Sequence, residues 1–186
     1  IPKNFLKKVI RYFASKVVVK PKSDERLTEI LALGKILSNL QLNQNTPNLN
    51  DYEFKIFSQC GDDGIIQYLI KNIKIKNNFF IEFGVGDFME STCRFLMMNN
   101  NWSGFIIDSD QENIKKVKNK SWYWLYDLKV RCEFIHEDNI NSIIRESNQN
   151  DIGILHIDID GNDYHIFKKI NLIQINPAII ILEYNS

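Results

Sequence analysis

Short apolar runs alternate along the chain with longer segments in which apolar residues return every third or fourth position. The runs predict five strands, at 79–83, 104–107, 132–135, 153–159 and 178–182. The spaced segments predict helices between them. Ile65, Ile66, Leu69, Ile70 and Ile73 share one helical face, with Asp62 or Asp63 at its start. Further helices are expected near 91–99, opened by Ser91 or Thr92, and at 111–119, 139–147 and 162–170. The aromatic stretch Trp122-Tyr123-Trp124-Leu125-Tyr126 fits neither period. Continuous apolar strands separated by helices are the pattern of a parallel sheet covered on both faces. The expected fold is therefore α/β, a three-layer doubly wound parallel sheet over residues 51–186.

Residues 1–50 read as an N-terminal helical extension and linker. Phe5, Val9, Phe13 and Val17 recur every four residues in a basic amphipathic helix over 3–19. Packing on the domain or on a second copy of the chain is its expected role, with weak contact to an anionic membrane surface as the alternative. Leu27, Ile30, Leu31, Gly34, Leu37 and Leu40 set a second helix at 24–42, and 43–50, with Pro47, breaks it.

At 186 residues the chain suits one domain with a sizeable core. Its 44% hydrophobic and 25% charged residues exclude disordered and fibrous classes. Lysine plus arginine equals aspartate plus glutamate, 23 each, so net charge does not point to nucleic acid. Seven of the basic residues fall within 1–22, which leaves the rest of the chain acidic. Cys60, Cys93 and Cys132 are odd in number and widely spaced, which argues against a disulfide framework and for reduced, mostly buried thiols. The start of the chain lacks the pattern of a signal peptide. A cytoplasmic location is expected.

The candidate chemistry lies at the predicted strand ends. Parallel sheets of this kind bind ligands at the carboxyl ends of their strands, where the chain order switches. Glu82, Asp108, Glu137, Asp158 and Glu183 each lie at or just past one such end. Glu82-Phe83-Gly84-Val85-Gly86-Asp87 is a glycine turn, but Met89 stands where a diphosphate-binding loop needs its third glycine. Acids around the turn repel a diphosphate and suit a ligand with an amine and a sulfonium, which S-adenosylmethionine is. Asp108 is expected to accept hydrogen bonds from two ribose hydroxyls. Glu137 and Asp138 would lie over the adenine, Asp138 alternatively capping the helix that follows. Ser58-Gln59-Cys60-Gly61-Asp62-Asp63-Gly64 is either a capped helix start or a lid over the methionine end, so Gln59 and Asp63 join the candidate contacts. Ser91 and Thr92 join them beside the glycine turn.

Six blocks together carry a resemblance: Ser-Gln-x-Gly-Asp-Asp-Gly-Ile-Ile from Ser58, Phe-Ile-Glu-Phe-Gly-Val-Gly-Asp from Phe80, Glu90-Ser91-Thr92, Trp-Ser-Gly-Phe-Ile-Ile-Asp to Asp108, His-Ile-Asp-Ile-Asp-Gly-Asn-Asp-Tyr from His156, and Ile-Ile-Leu-Glu-Tyr-Asn to Asn185. In this order they resemble the class I, Rossmann-like methyltransferases related to the FkbM type, many of which modify sugars of bacterial surface glycans. The resemblance covers about residues 54–186. It implies S-adenosylmethionine as cofactor, with S-adenosylhomocysteine as product. It implies cofactor contacts for Gln59, Glu82, Gly84, Gly86, Asp108 and Asp138, and catalysis around Asp158-Ile159-Asp160. The C-terminal helix and hairpin usual in that class are not in the sequence after Glu183-Tyr184-Asn185.

The expected reaction is methylation of an oxygen on a sugar or glycan precursor. A hydroxyl acceptor needs its proton removed, and Asp158, Asp160 and His165 are the candidates. Strand alternation would put His156, Asp158 and Asp160 on one face. Asp160 is then outermost and best placed to meet the acceptor hydroxyl, with Asp158 deeper and towards the cofactor's methionine end. A metal held by Asp158, Asp160, Glu183 and Asn185 is conceivable but not expected. Two other readings remain: a metal-dependent glycosyltransferase using Asp158 and Asp160 as a D-x-D pair, and an inert module that keeps the cofactor as a structural ligand.

Overall fold

The computed structural model describes residues 23–183. The helix expected at 3–19 and the positions after Glu183 lie outside them. Five strands form one all-parallel sheet in the order β3-β2-β1-β4-β5. They are β1 (Phe79–Phe83), β2 (Ser103–Asp108), β3 (Leu128–Cys132), β4 (Ile154–Ile157) and β5 (Ile179–Leu182). The helices are α1 (Ser23–Leu40), α2 (Asp62–Asn72), α3 (Arg94–Asn100), α4 (Gln111–Lys118), α5 (Ile140–Arg145), α6 (Asp163–Lys169) and α7 (Leu172–Ile175).

Strand alternation divides the core in two. Phe80, Ile106, Leu128 and Ile154 face α1–α4, where Leu27, Ile66, Leu96, Met97 and Val117 complete one layer. Phe79, Ile81, Phe83, Phe105, Ile107, Leu155 and Ile157 face α5–α7, meeting Ile140, Ile144, Ile166 and Ile175. Both faces of the central strands are therefore apolar, which is why β1 is buried throughout. The three-layer parallel architecture is as expected.

Helix α1 docks directly on this body. Ser38 Oγ donates to Gln67 Oε1 at 3.1 Å, and Gln41 Nε2, in the 3₁₀ turn just past the helix, donates to the Tyr52 and Gly64 carbonyls at 2.5 and 3.0 Å. Among the described residues no helix is long and apolar enough to cross a membrane.

One strand differs from the expected one. β3 is Leu128–Cys132 and not 132–135. It lies at the sheet edge and carries Lys129 and Arg131, so it alternates instead of forming an apolar run. The aromatic stretch before it is a 3₁₀ turn, Tyr123–Leu125, with Trp122 buried and Trp124 exposed. Of the three cysteines only Cys93 is buried; Cys60 is exposed and Cys132 half-buried.

Candidate active site

The strand order reverses between β1 and β4, and the connections after them leave to opposite faces, so the carboxyl end of the sheet opens there. Two adjoining cavities fill the opening. One, about 420 Å³, is bounded by Gly86, Asp108, Glu133 and Asp160. The other, about 250 Å³, is bounded by Asp62, Glu82, Thr92, His156 and Glu183. Gln59, Gly84 and Asp158 lie on both walls, which makes them one cleft. Among its described lining residues there is no lysine or arginine.

The glycine turn forms the floor. Gly84 has φ +76°, and a Cβ there would lie 1.5 Å from the Asp158 carbonyl oxygen. Only a hydrogen fits where β1 passes β4. Gly86, at φ +54°, has open space in the Cβ direction instead. The turn is pinned by Asp108, whose Oδ2 accepts from the Gly86 amide at 2.7 Å and whose Oδ1 accepts from the Asp110 amide at 2.8 Å. Asp110, not Asp108, caps α4 through the Glu112 amide. Gly84→Ala is expected to cost on the order of 4 kcal/mol or more in chemical denaturation. Gly86→Ala is expected to cost only about 1–2 kcal/mol, for its left-handed backbone. Equal effects would disprove the steric assignment at Gly84.

Two of the expected cofactor contacts are committed inside the protein. Glu82 is 2% exposed. It accepts from Ser91 Oγ at 2.7 Å, the Thr92 amide at 3.0 Å and the Cys93 amide at 3.3 Å, and lies 3.1 Å from His156 Nδ1. A strand carboxylate thus caps the start of α3, the task expected of Ser91 or Thr92 themselves. Burial pulls His156 down, but the hydrogen bond and charge of Glu82, with Asp158 and Asp62 behind them, raise it overall. Glu82 still forms part of the cleft wall, as does Thr92; buried Ser91 stands behind them. Asp63 is fully buried. Its Oδ2 gathers the Ile56, Phe57 and Ser58 amides and the Ser58 hydroxyl within 2.9 Å. Burial raises its pKa against these bonds. It builds the loop that carries Gln59 to the cleft and is not on the wall itself.

At the end of β4 the chain turns sharply. Asp163 Oδ1 accepts from the Ile159 amide at 2.8 Å and Oδ2 from the Gly161 amide at 3.0 Å. Asp160 is held at φ +55° and Gly161 at +106°. β4 ends at Ile157, so the expected alternation of His156, Asp158 and Asp160 does not run through Asp160; the turn aims it. Asp158 is half-buried. Burial pushes its carboxyl up to about 6, helped by the charge and hydrogen bond of Glu183 and the charge of Asp160, and opposed by His156. Oxygens of Asp158, Asp160 and Glu183 lie within 4.8 Å of one another, so this trio is where a divalent cation could be held.

Three expected site residues are elsewhere. Glu137 pairs with Lys169 at 2.9 Å on the surface, and Asp138 is exposed, 3.9 Å from His136. His165 is exposed on α6 beside Tyr164. None is on the cleft wall. The acid that follows β3 is Glu133, and it does line the cleft. Placing β3 four residues late put Glu137 at the strand end in its stead. The helix expected at 162–170 begins at Asp163, whose carboxylate also ties the turn before it.

The chain matches no protein-family model and no curated protein.

Proposed function

We propose that the protein is an S-adenosylmethionine-dependent methyltransferase acting on a hydroxyl of a sugar or related acceptor. The carrying observation is the charge of the cleft. It sits at the switch point of a 3-2-1-4-5 parallel sheet, with Asp108, Glu133, Asp158, Asp160 and Glu183 on its walls and no lysine or arginine among the described lining residues. A nucleoside with an amine and a sulfonium fits such walls; a diphosphate is repelled by them. When bound, the cofactor supplies a methyl group on a cationic sulfur.

The remaining work falls to this chain. The outward lone pairs of Asp108 are suited to ribose hydroxyls, and Gly86 leaves room for close approach. Asp158, shared by both halves of the cleft, is placed to take a proton from an acceptor hydroxyl, with Asp160 at the mouth. The parallel sheet with its strand-end cleft is compatible with the class I methyltransferases, and the sequence blocks resemble their FkbM-type branch, which supports a glycan precursor as acceptor.

The carboxylate trio favours one other reading, a metal-dependent glycosyltransferase. Calorimetric titration separates the two. S-adenosylmethionine and S-adenosylhomocysteine are expected to bind, and uridine diphosphate with manganese is not. Binding of the diphosphate alone would overturn the methyl-transfer reading.

A further inference from the structure

A cavity of about 910 Å³ lies beside the cleft, between α1, Ile56-Phe57, Met89-Glu90 and the Asn119–Trp122 turn. Its character is opposite to that of the cleft. Arg26, Arg94 and Lys120 are on its wall, with Glu90 the sole acid among the described lining residues.

Arg94 is the unusual member. It is 3% exposed, yet it is in no ion pair among the described residues. Its guanidinium carbon lies 4.1 Å from the centre of the Phe57 ring and 5.3 Å from that of Trp122. Nη1 donates to the Met89 carbonyl at 3.1 Å and lies 3.4 Å from the Met89 sulfur. Nε is buried without a partner, and among the described residues Nη2 has none either. Burial pulls its pKa down to about 10, while Asp87 and Asp63 pull the other way through space. Neither acid forms an ion pair with Arg94: Asp87 accepts from the Met89 amide, and Asp63 spends Oδ2 on its loop while its buried Oδ1 has no partner among the described residues.

A buried guanidinium with unused donors is costly. Of the edge left over, Nε is sealed and Nη2 is the donor that keeps accessible surface; with Nε behind it the edge has the fork geometry that fits a carboxylate or a phosphate. Phe57 and Trp122 hold that fork flat, and Leu27 and Ile30 give the cavity an apolar side. We propose that this cavity is an anion-binding site, taking a phosphate or carboxylate carried on a ring or other apolar body. Glu90 lines both this cavity and the cleft, so the occupant borders the reaction site. On the methyl-transfer reading, on which this step rests, the ligand is the charged end of the acceptor.

The test is calorimetric titration of the full chain with glucose 1-phosphate, glucuronate and uncharged glucose. At least one anion is expected to bind and glucose is not; the tighter anion identifies the head group. Arg94→Met is expected to fold with its thermal midpoint held or raised, since it removes a buried unpaired charge. It is expected to lose at least about tenfold in anion affinity. Arg94→Lys, which keeps the charge without the fork, is expected to lose a similar factor. Binding of neither anion, or anion affinity unchanged in Arg94→Met, overturns the site. If Arg94→Met does not fold, the double variant Arg26→Ala, Lys120→Ala decides, and anion affinity unchanged in it overturns the site equally. Titration with S-adenosylmethionine keeps the two proposals apart. Anion binding without cofactor binding leaves this site standing and removes the methyl-transfer reading; the converse removes only the site.

Discussion

Asp108→Ala is expected to weaken S-adenosylmethionine binding by on the order of a hundredfold or more, in a chain that still folds. Asp108 is the last residue of β2 and lies beside the glycine turn that follows the neighbouring β1. Its two oxygens already hold the Gly86 and Asp110 amides. Each keeps a second lone pair, enough for a pair of ribose hydroxyls. Two hydrogen bonds to a charged group are worth about 1.5–3 kcal/mol each, and about 1.4 kcal/mol is tenfold in affinity. The variant also loosens the Gly86 turn, so part of the loss is lost preorganisation. The fold survives because the freed amides are at the edge of the cleft, where water replaces the carboxylate, and because Asp110 caps α4 independently. Unchanged affinity in a folded variant, measured by calorimetry, would remove the ribose assignment.

How far the site was legible in the sequence depended on how local each cause is. β1, β2 and β4 are apolar runs because helices cover both their faces, and a run is visible without knowing what covers it. β5, at one edge of the sheet, is an apolar run although Ile180 is exposed. β3 is covered less completely at the edge, and its Lys129 and Arg131 hid it. With β3 expected at 132–135, Glu137 falls at the strand end in place of the cleft residue Glu133. The acids at the strand ends were equally visible, but which of them face the ligand was not. Glu82 and Asp108 look alike in sequence. One is enclosed by Ser91, Thr92 and His156 and the other opens on the cleft, and that difference is made by residues up to 74 positions away. Arg94 gave no signal at all. A lone arginine at the start of a helix reads as a surface residue until Phe57 and Trp122 are brought over it.

The largest effect on turnover is expected at the end of β4. Asp158 is the group shared by both halves of the cleft, and its carboxyl is pushed up to about 6 by burial first, then by Glu183 and Asp160. A base works in its unprotonated form, so kcat/KM for the cofactor is expected to fall as pH drops through about 6. Because Asp158 and Glu183 share a hydrogen bond, that limb belongs to the pair. In kcat the limb is expected at lower pH, since a bound sulfonium favours the carboxylate. Asp158→Asn is expected to lower kcat by about 10²–10⁴-fold, the usual worth of a positioned proton acceptor, and to flatten the acid limb. Asp160→Asn removes a charge at the exposed mouth of the cleft while Asp163 still holds the turn. It is expected to lower turnover by at least about tenfold and to leave cofactor affinity within about threefold, the pattern of a group that acts mainly in the transition state. His165→Ala, on the far surface, is expected to change neither. Wild-type turnover in Asp158→Asn, with the acid limb in place, would move the proton acceptor elsewhere; loss of cofactor binding in folded Asp160→Asn would make Asp160 part of the cofactor's own shell.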